Sequence, residues 1–418
     1  MFKKTVLKNG LKIITCPMKN THSVTVLILV KAGTKYETKK ENGISHFLEH
    51  MYFKGTKKRK SALDVSKEID GVGGIINAFT SKDYTGYFVK VDYSHFNLAL
   101  DLVSDIFLNS TLPDEEINKE RGVIIEEIKM FEDTPMHYIE WVWEELLYGD
   151  QPAGWKITGE RKNVLKIQRE DFLNYIKNYY VSQNTVVCVA GKIDNKKTLS
   201  MIGDCFSDIS QKTQKKKKSV REFQTSPRKL FFKKNTKQTH LALGVRAFNI
   251  FDKRRFALQV LSVILGGNMS SRMFQELREK RGLAYYIHTS VELNPDTGYL
   301  VTYAGIDHKN IEKATFLITQ EYKKIKKGNL TEKEIKMAKE YIKGLFGLSL
   351  EESDNIASFY ASQALLERNI ISPEEKIRAI DKVNKRDILN VAKYIFTPSR
   401  LNLAVISPKK KKIQNFTL

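Results

Sequence analysis

The sequence predicts an α+β fold of two homologous halves, each a mostly antiparallel sheet backed by helices. Three observations carry that prediction. The chain has 418 residues, 41% of them hydrophobic, an ordinary globular composition but more chain than one hydrophobic core absorbs. A polar, lysine-rich stretch ending in proline, "SQKTQKKKKSVREFQTSP" at 210–227, interrupts the pattern near the midpoint. On either side of it the same order of elements recurs. "TGYFVKVDYSHFNLALDLVSDIF", from Thr85, leads to "LPDEEINKE", and "TGYLVTYAGIDHKNIEKATFLITQEY", from Thr297, leads to "LTEKEIKMAKE". The TGY triplets are 212 positions apart, and the pairs Glu116-Ile117 and Glu334-Ile335 are 218 apart. A duplicated unit is the economical account.

Taken in order, apolar–polar alternation around 11–17, 22–32, 75–80 and 84–92 predicts strands. "ISHFLEHMYF" at 44–53 is placed on a helix. The strand from Thr85 is followed by a long amphipathic helix and then by the acidic helix "PDEEINKERGVIIEEIKMF". Strands and helices follow no strict βαβ order, which favours antiparallel pairing. The expected domains are 1–210, a basic linker at 211–228, and 229–418.

The net charge of +22 invites a polyanionic partner, but basic residues run along most of the chain. The lysine runs at Lys215–Lys218 and Lys409–Lys412 look like a linker and a tail, where lysines are expected to be solvated. No aromatic-interleaved basic strand, zinc-finger spacing or helix-turn-helix pattern accompanies them, so no nucleic-acid partner is expected. No apolar run reaches the roughly 18 residues of a membrane span. The start, "MFKKTVLKNGLKIITCPM", lacks the apolar region of a secretion signal, and a cytoplasmic location is expected. Three widely spaced cysteines, Cys16, Cys188 and Cys205, fit buried thiols in a reducing compartment. One region opposes the trend: Asp114 to Asp150 holds twelve acids against three bases, a negative patch that attracts cationic ligands.

The chemistry concentrates in "HFLEH". On a helix His46 and His50 lie one turn apart on one face, and Glu49 shares that face. Two imidazoles so placed can hold one Zn²⁺ at about 2.0–2.1 Å, and the carboxylate can take a proton from a water activated there. This is the inverted zinc-protease signature, H-x-x-E-H, expected by chance about 0.02 times in this composition. A third ligand is required, and the acidic helix offers several. Its apolar stripe is Ile117, Ile124, Ile128 and Phe131. Glu120 and Glu127 fall on the edge of that stripe, whereas Glu126 faces solvent. Periodicity therefore favours Glu127 as ligand, with Glu120, two turns below, supporting a ligand. The duplication acts as a control: the positions matching His46–His50 read "LQVLS" (258–262), and those matching Glu120 and Glu127 are Ala338 and Leu345. The fold does not require the polar set.

"NGLKII", "AGTKYETKKENGISHFLEHMYFKGTKKR", "GGIINAFTSKDYTGYF" and "INKERGVIIEEI" together resemble the pitrilysin-type zinc metallopeptidases, nearest to their mitochondrial-processing-peptidase-like bacterial branch. The resemblance spans nearly the whole chain. It implies one Zn²⁺ per chain on His46, His50 and Glu127, with Glu49 as general base and Glu120 supporting the site. It also implies that the halves close like a clam-shell around an unfolded peptide, whose backbone pairs with Asn77, Ala78 and Phe79. In the second half, "ILGGNMSSRMFQELREKRGLAYYI" resembles the family's glycine-rich loop and Arg/Tyr pair. That maps substrate binding and oxyanion stabilisation onto Arg278 and Tyr285. Asn268 stands where a third glycine is common, and Asp83 where a glutamate is common. Two-chain relatives divide the zinc motif and the Arg/Tyr pair between subunits. This chain carries both, so the resemblance implies a zinc endopeptidase acting without a dedicated partner, as a homodimer, on short or unfolded peptides. The acidic region points to basic ones. The alternatives are a non-catalytic scaffold subunit and, on charge alone, a nucleic-acid-binding protein. Neither accounts for the polar set occurring in the first half only.

Overall fold

The computed structural model describes residues 2–418 apart from 214, 368, 411, 412, 414 and 415. The elements up to the linker are β1 Lys3–Val6, β2 Lys12–Pro17, β3 Ser23–Val30, α1 Ile44–Met51, α2 Ala62–Asp70, β4 Ile75–Thr80, β5 Thr85–Asp92, α3 Phe96–Asn109, α4 Asp114–Asp133, α5 Pro135–Tyr148, α6 Arg161–Val164, α7 Arg169–Tyr179, β6 Thr185–Gly191 and α8 Asn195–Cys205. After it come β7 Arg228–Lys233, β8 Thr239–Arg246, α9 Arg255–Gly266, β9 Ala284–Leu293, β10 Gly298–Ile306, α10 Ile311–Lys326, α11 Glu332–Ser349, α12 Ser353–Leu366, α13 Pro373–Asp381, α14 Lys385–Ile395 and β11 Leu401–Ser407.

These elements build two sheets, in the strand orders β1-β2-β6-β3-β5-β4 and β7-β11-β8-β10-β9. Set β1 aside and the orders superpose position for position, down to one parallel pair in each: β2 with β6 and β7 with β11. All other pairs are antiparallel, as the sequence predicts. The recurring TGY has a packing reason at its glycine. Gly86 lies opposite Phe79 across the β4–β5 ladder, and a Cβ there would come within 2.3 Å of the Phe79 ring.

The chain divides into two compact units that are not contiguous halves. The first holds residues 1–129, 156–218 and 347–372, and the second holds 130–155, 219–346 and 373–418. Helix α5 thus belongs with the second sheet although it precedes the linker, and α12 with the first although it follows it. Burial explains why these helices are needed. Strand β3, "SVTVLILV", is apolar without alternation because both of its faces are covered. Val24, Val26, Ile28 and Val30 pack in the core with α1, α3 and α4. Leu27 and Leu29 face the other way with Ile14, Val186 and Cys188, and are covered by Ala357, Ala361, Ala364 and Leu365 of α12. The alanines let the helix approach the sheet closely. In the second unit Ile139, Val142, Trp143 and Leu146 of α5 cover Ala242, Val301 and Ala404 in the same manner.

In the linker Lys215, Lys216 and Lys218 are exposed, as expected, but Lys217 is not simply solvated. Lys217 forms an ion pair with the buried Asp83, which also holds Lys35 Nζ at 2.8 Å. A carboxylate taken out of water needs paired charge, and the lysine run supplies one of its two partners. Lys411 and Lys412 of the tail lie outside the described residues. Cys16 and Cys188 are buried free thiols. Among the described residues no helix is long and apolar enough to cross a membrane.

A chain ended after Lys218 retains the first sheet but loses α12. Expected outcome: such a fragment binds a hydrophobic dye and elutes as aggregates in size-exclusion chromatography, and appending residues 347–372 through a flexible linker suppresses both.

Candidate metal centre

Helix α1 has only eight residues, too few to be stable alone. It is held by Phe47, Leu48 and Met51, all completely buried, and by an N-terminus capped from a distance. Gly43 precedes the helix at φ +102, where a Cβ would meet Thr158 O at 2.8 Å, and it supplies no capping side chain. The cap comes from Glu37. One of its oxygens accepts from Ser45 N (3.0 Å) and Ser45 Oγ (2.6 Å), and the other from Gly43 N and Asn42 Nδ2, both at 2.9 Å. An anion at a helix N-terminus meets the exposed N–H groups and the positive end of the dipole. Burial nevertheless raises the Glu37 pKa, with the hydrogen bonds from Ser45, Gly43 and Asn42 pulling it only partly back.

His46 and His50 lie side by side, ring centroids 4.6 Å apart. Helix α4 brings Glu127 against both: Oε1 is 3.5 Å from His46 Nε2, and Oε2 is 3.5 Å from His50 Nε2. That spacing exceeds a charge-assisted hydrogen bond but matches the roughly 3.4 Å between two ligands of a tetrahedral zinc. Among the described residues, His46, His50 and Glu127 are the one group of three or more His, Cys, Asp or Glu side chains arranged to share a cation. A zinc ion fits this donor set.

The electrostatics suit a cation as well. Burial opposes a charged His46, but the neighbouring Glu127 carboxylate, with Glu49 and Glu37, outweighs it and raises the imidazole's pKa. Burial would raise the Glu127 carboxyl, yet His46 and His50 hold it below its ordinary range. Glu120 lies one step back. Its Oε1 is 2.8 Å from His50 Nδ1, and because an ionised carboxylate only accepts, Nδ1 carries the proton and Nε2 keeps its lone pair toward Glu127. Lys54 Nζ, 2.5 Å from Glu120 Oε2, balances that charge. Against the cost of burial, His50 and Lys54 lower the Glu120 pKa. Glu126 projects into solvent, 71% exposed, beside Lys129.

The structure therefore brings together four of the sequence-predicted residues, His46, His50, Glu120 and Glu127. Glu49 joins them through β4: Thr80 Oγ1, at the end of that strand, donates to Glu49 Oε2 at 2.6 Å. Asn77, Ala78 and Phe79 precede Thr80 on β4, which is the edge strand of its sheet. Arg278 and Tyr285 lie in the other unit. Arg278 stacks on Phe274, 5.0 Å from the ring centroid, in a π-helical turn, and Tyr285 is the second residue of β9, 73% exposed. Sequence reasoning missed Glu37, Lys54 and Thr80. All three lie inside stretches quoted above, but nothing local in the sequence points to their partners. Where the second half matches His46 and Glu120 it buries Leu258 and Ala338.

Comparison with known proteins gives the family and the fold. A family model described as "Insulinase (Peptidase family M16)" matches residues 12–159, and one described as "Peptidase M16 inactive domain" matches residues 166–342. A Bacillus subtilis protein named "Uncharacterized zinc protease YmxG" is 35% identical over 408 residues, 98% of each chain. A Rickettsia bellii protein named "Uncharacterized zinc protease" is 34% identical, covering 97% of this chain and 98% of its own. Among solved structures, a protease from Helicobacter pylori superposes with a TM-score of 0.91 at 26% identity, covering 98% of this chain and all of the other.

Three outcomes follow from the groups that support α1 and its histidines. Glu120→Gln should weaken zinc binding about 10–100-fold, measured by chelator competition. Glu37→Gln should lose stability on the order of 1–3 kcal/mol for each donor left unpaired, measured by denaturant unfolding. A raised folded pKa means that folding takes up a proton. The wild type should therefore lose stability as pH rises from the ordinary glutamate range through the raised value. The glutamine variant should lack that slope.

Proposed function

The chain belongs to peptidase family M16, and from that membership we propose that it is a zinc-dependent endopeptidase hydrolysing short or unfolded peptides, basic ones in preference. The observation that supports this most is the convergence of His46 Nε2, His50 Nε2 and the Glu127 carboxylate, with Glu49 on the same helix as the two imidazoles.

His46, His50 and Glu127 would hold the zinc, which when bound would supply Lewis acidity to activate water near neutral pH and polarise a peptide carbonyl. Glu49 acts as general base, its carboxylate taking the proton from the attacking water and then passing it to the leaving amine. Glu120 keeps His50 in the tautomer whose Nε2 can donate a lone pair. Strand β4 pairs on one side with β5, and its other edge offers Asn77, Ala78 and Phe79 to an extended peptide through main-chain hydrogen bonds, with little demand on sequence. Arg278 and Tyr285 are the proposed donors to the substrate and to the developing oxyanion. The preference for basic peptides rests on the acid-rich stretch from Asp114 to Asp150.

The test is cleavage of a quenched basic peptide by the wild type and by Glu49→Gln, with zinc content determined on the same samples. Expected: the wild type cuts, and the variant keeps its zinc but loses at least about 100-fold in kcat. A zinc-loaded wild type that cuts no member of a broad peptide set overturns the reading.

A further inference from the structure

Glu49 is not held by its own helix. Its carboxylate is fixed by Thr80, whose Oγ1 donates to Oε2 at 2.6 Å across 31 residues of sequence. A hydrogen bond to one carboxylate oxygen sets the plane of the group and so aims the other. Thr80 is itself braced on both sides. On one side it ends β4, paired in register with Thr85 of β5, and its hydroxyl lies 3.5 Å from that of Thr85, which donates to Ala32 O at 2.8 Å.

On the other side is the turn at 81–84. Ser81 N and Ser81 Oγ both reach Tyr84 O at 2.8 Å, Lys35 N reaches Lys82 O at 2.9 Å, and Asp83 is clamped by Lys35 and Lys217. An edge strand and a locked turn therefore present one hydroxyl to one carboxylate. A valine would fill the same volume, so core packing alone does not call for the oxygen.

We propose that Thr80 is a positioning residue for the general base: it ties the Glu49 carboxylate to the edge strand that receives the peptide, so that substrate pairing and base placement share one rigid element. This rests on the peptidase reading above. The residue touches neither substrate nor metal ligand in this role; it acts through Glu49. Strand addition along Asn77–Phe79 bears on the same backbone that carries Thr80, so a peptide in register finds the base already placed.

The experiment compares zinc-loaded wild type, Thr80→Val, Thr80→Ala and Thr80→Ser on the quenched basic peptide, with kcat and KM resolved and zinc affinity measured by chelator competition. Expected: Thr80→Val lowers kcat about 10–100-fold with KM and zinc affinity within twofold of wild type, and Thr80→Ser, which keeps the hydroxyl, restores kcat to within about threefold. Should Thr80→Val fail to fold, Thr80→Ala against Thr80→Ser decides by the same criterion. Retention of kcat in the variants lacking the hydroxyl overturns the proposal, as does a loss confined to KM or matched by lost zinc. A wild type that cuts nothing removes the peptidase reading itself, whereas an active wild type with an indifferent Thr80 removes only this inference.

Discussion

The constraint on which the first unit turns is the burial of an eight-residue helix that carries two imidazoles and a carboxylate. A helix of two turns does not persist in water, so α1 exists through its apolar side chains Phe47, Leu48 and Met51. That burial takes polar groups with it, and each needs a partner where water is scarce. Glu37 accepts from the helix start, Glu120 engages His50 and Thr80 engages Glu49. Glu127 completes the group beside both imidazoles. The partners come from a loop, a helix and a strand end, so the arrangement of the unit and the arrangement of the site are one problem. His46 Nδ1 is the exception, buried without a hydrogen-bond partner among the described residues.

Much of this was legible in the residues themselves. The spacing of His46, Glu49 and His50 is local, and the stripe of Ile117, Ile124 and Ile128 separated the inward-edge glutamates from Glu126 because helical period alone decides that. The repeat from Thr85 and Thr297 foretold two similar units, each with its own sheet; the shared strand order came only with the structure. What stayed hidden was long-range. Glu120 meets His50 across 70 positions and Lys217 meets Asp83 across 134, and no periodicity encodes such pairings. Lys217 shows the error most clearly: a run of lysines reads as solvated because composition says nothing of one buried carboxylate waiting elsewhere. Glu37, in an unremarkable "KYETKK", gave no sign that its charge would be spent on a helix end.

The two sheets also separate what a fold needs from what chemistry needs. Both keep the strand order and a helix where α1 and α9 stand, yet the second unit buries Leu258 and Ala338 at the positions matching His46 and Glu120. Apolar side chains there demand no partners. Function in this architecture is a polar graft on a scaffold that is stable without it.

The exchanged helix has a bearing on how the chain is made. Ser23 on β3 and Ser353 at the start of α12 bond through their hydroxyls at 2.9 Å, 330 residues apart. When the last residue of the first unit's N-terminal portion, Lys218, has left the ribosome, the segment that roofs its sheet is still to be synthesised. At 5–20 residues per second the delay is on the order of 10–30 s. For that interval the nascent sheet has one apolar side without its cover, long enough for a holding chaperone to engage it. Order of synthesis, not only final stability, is thus written into where α12 sits in the sequence.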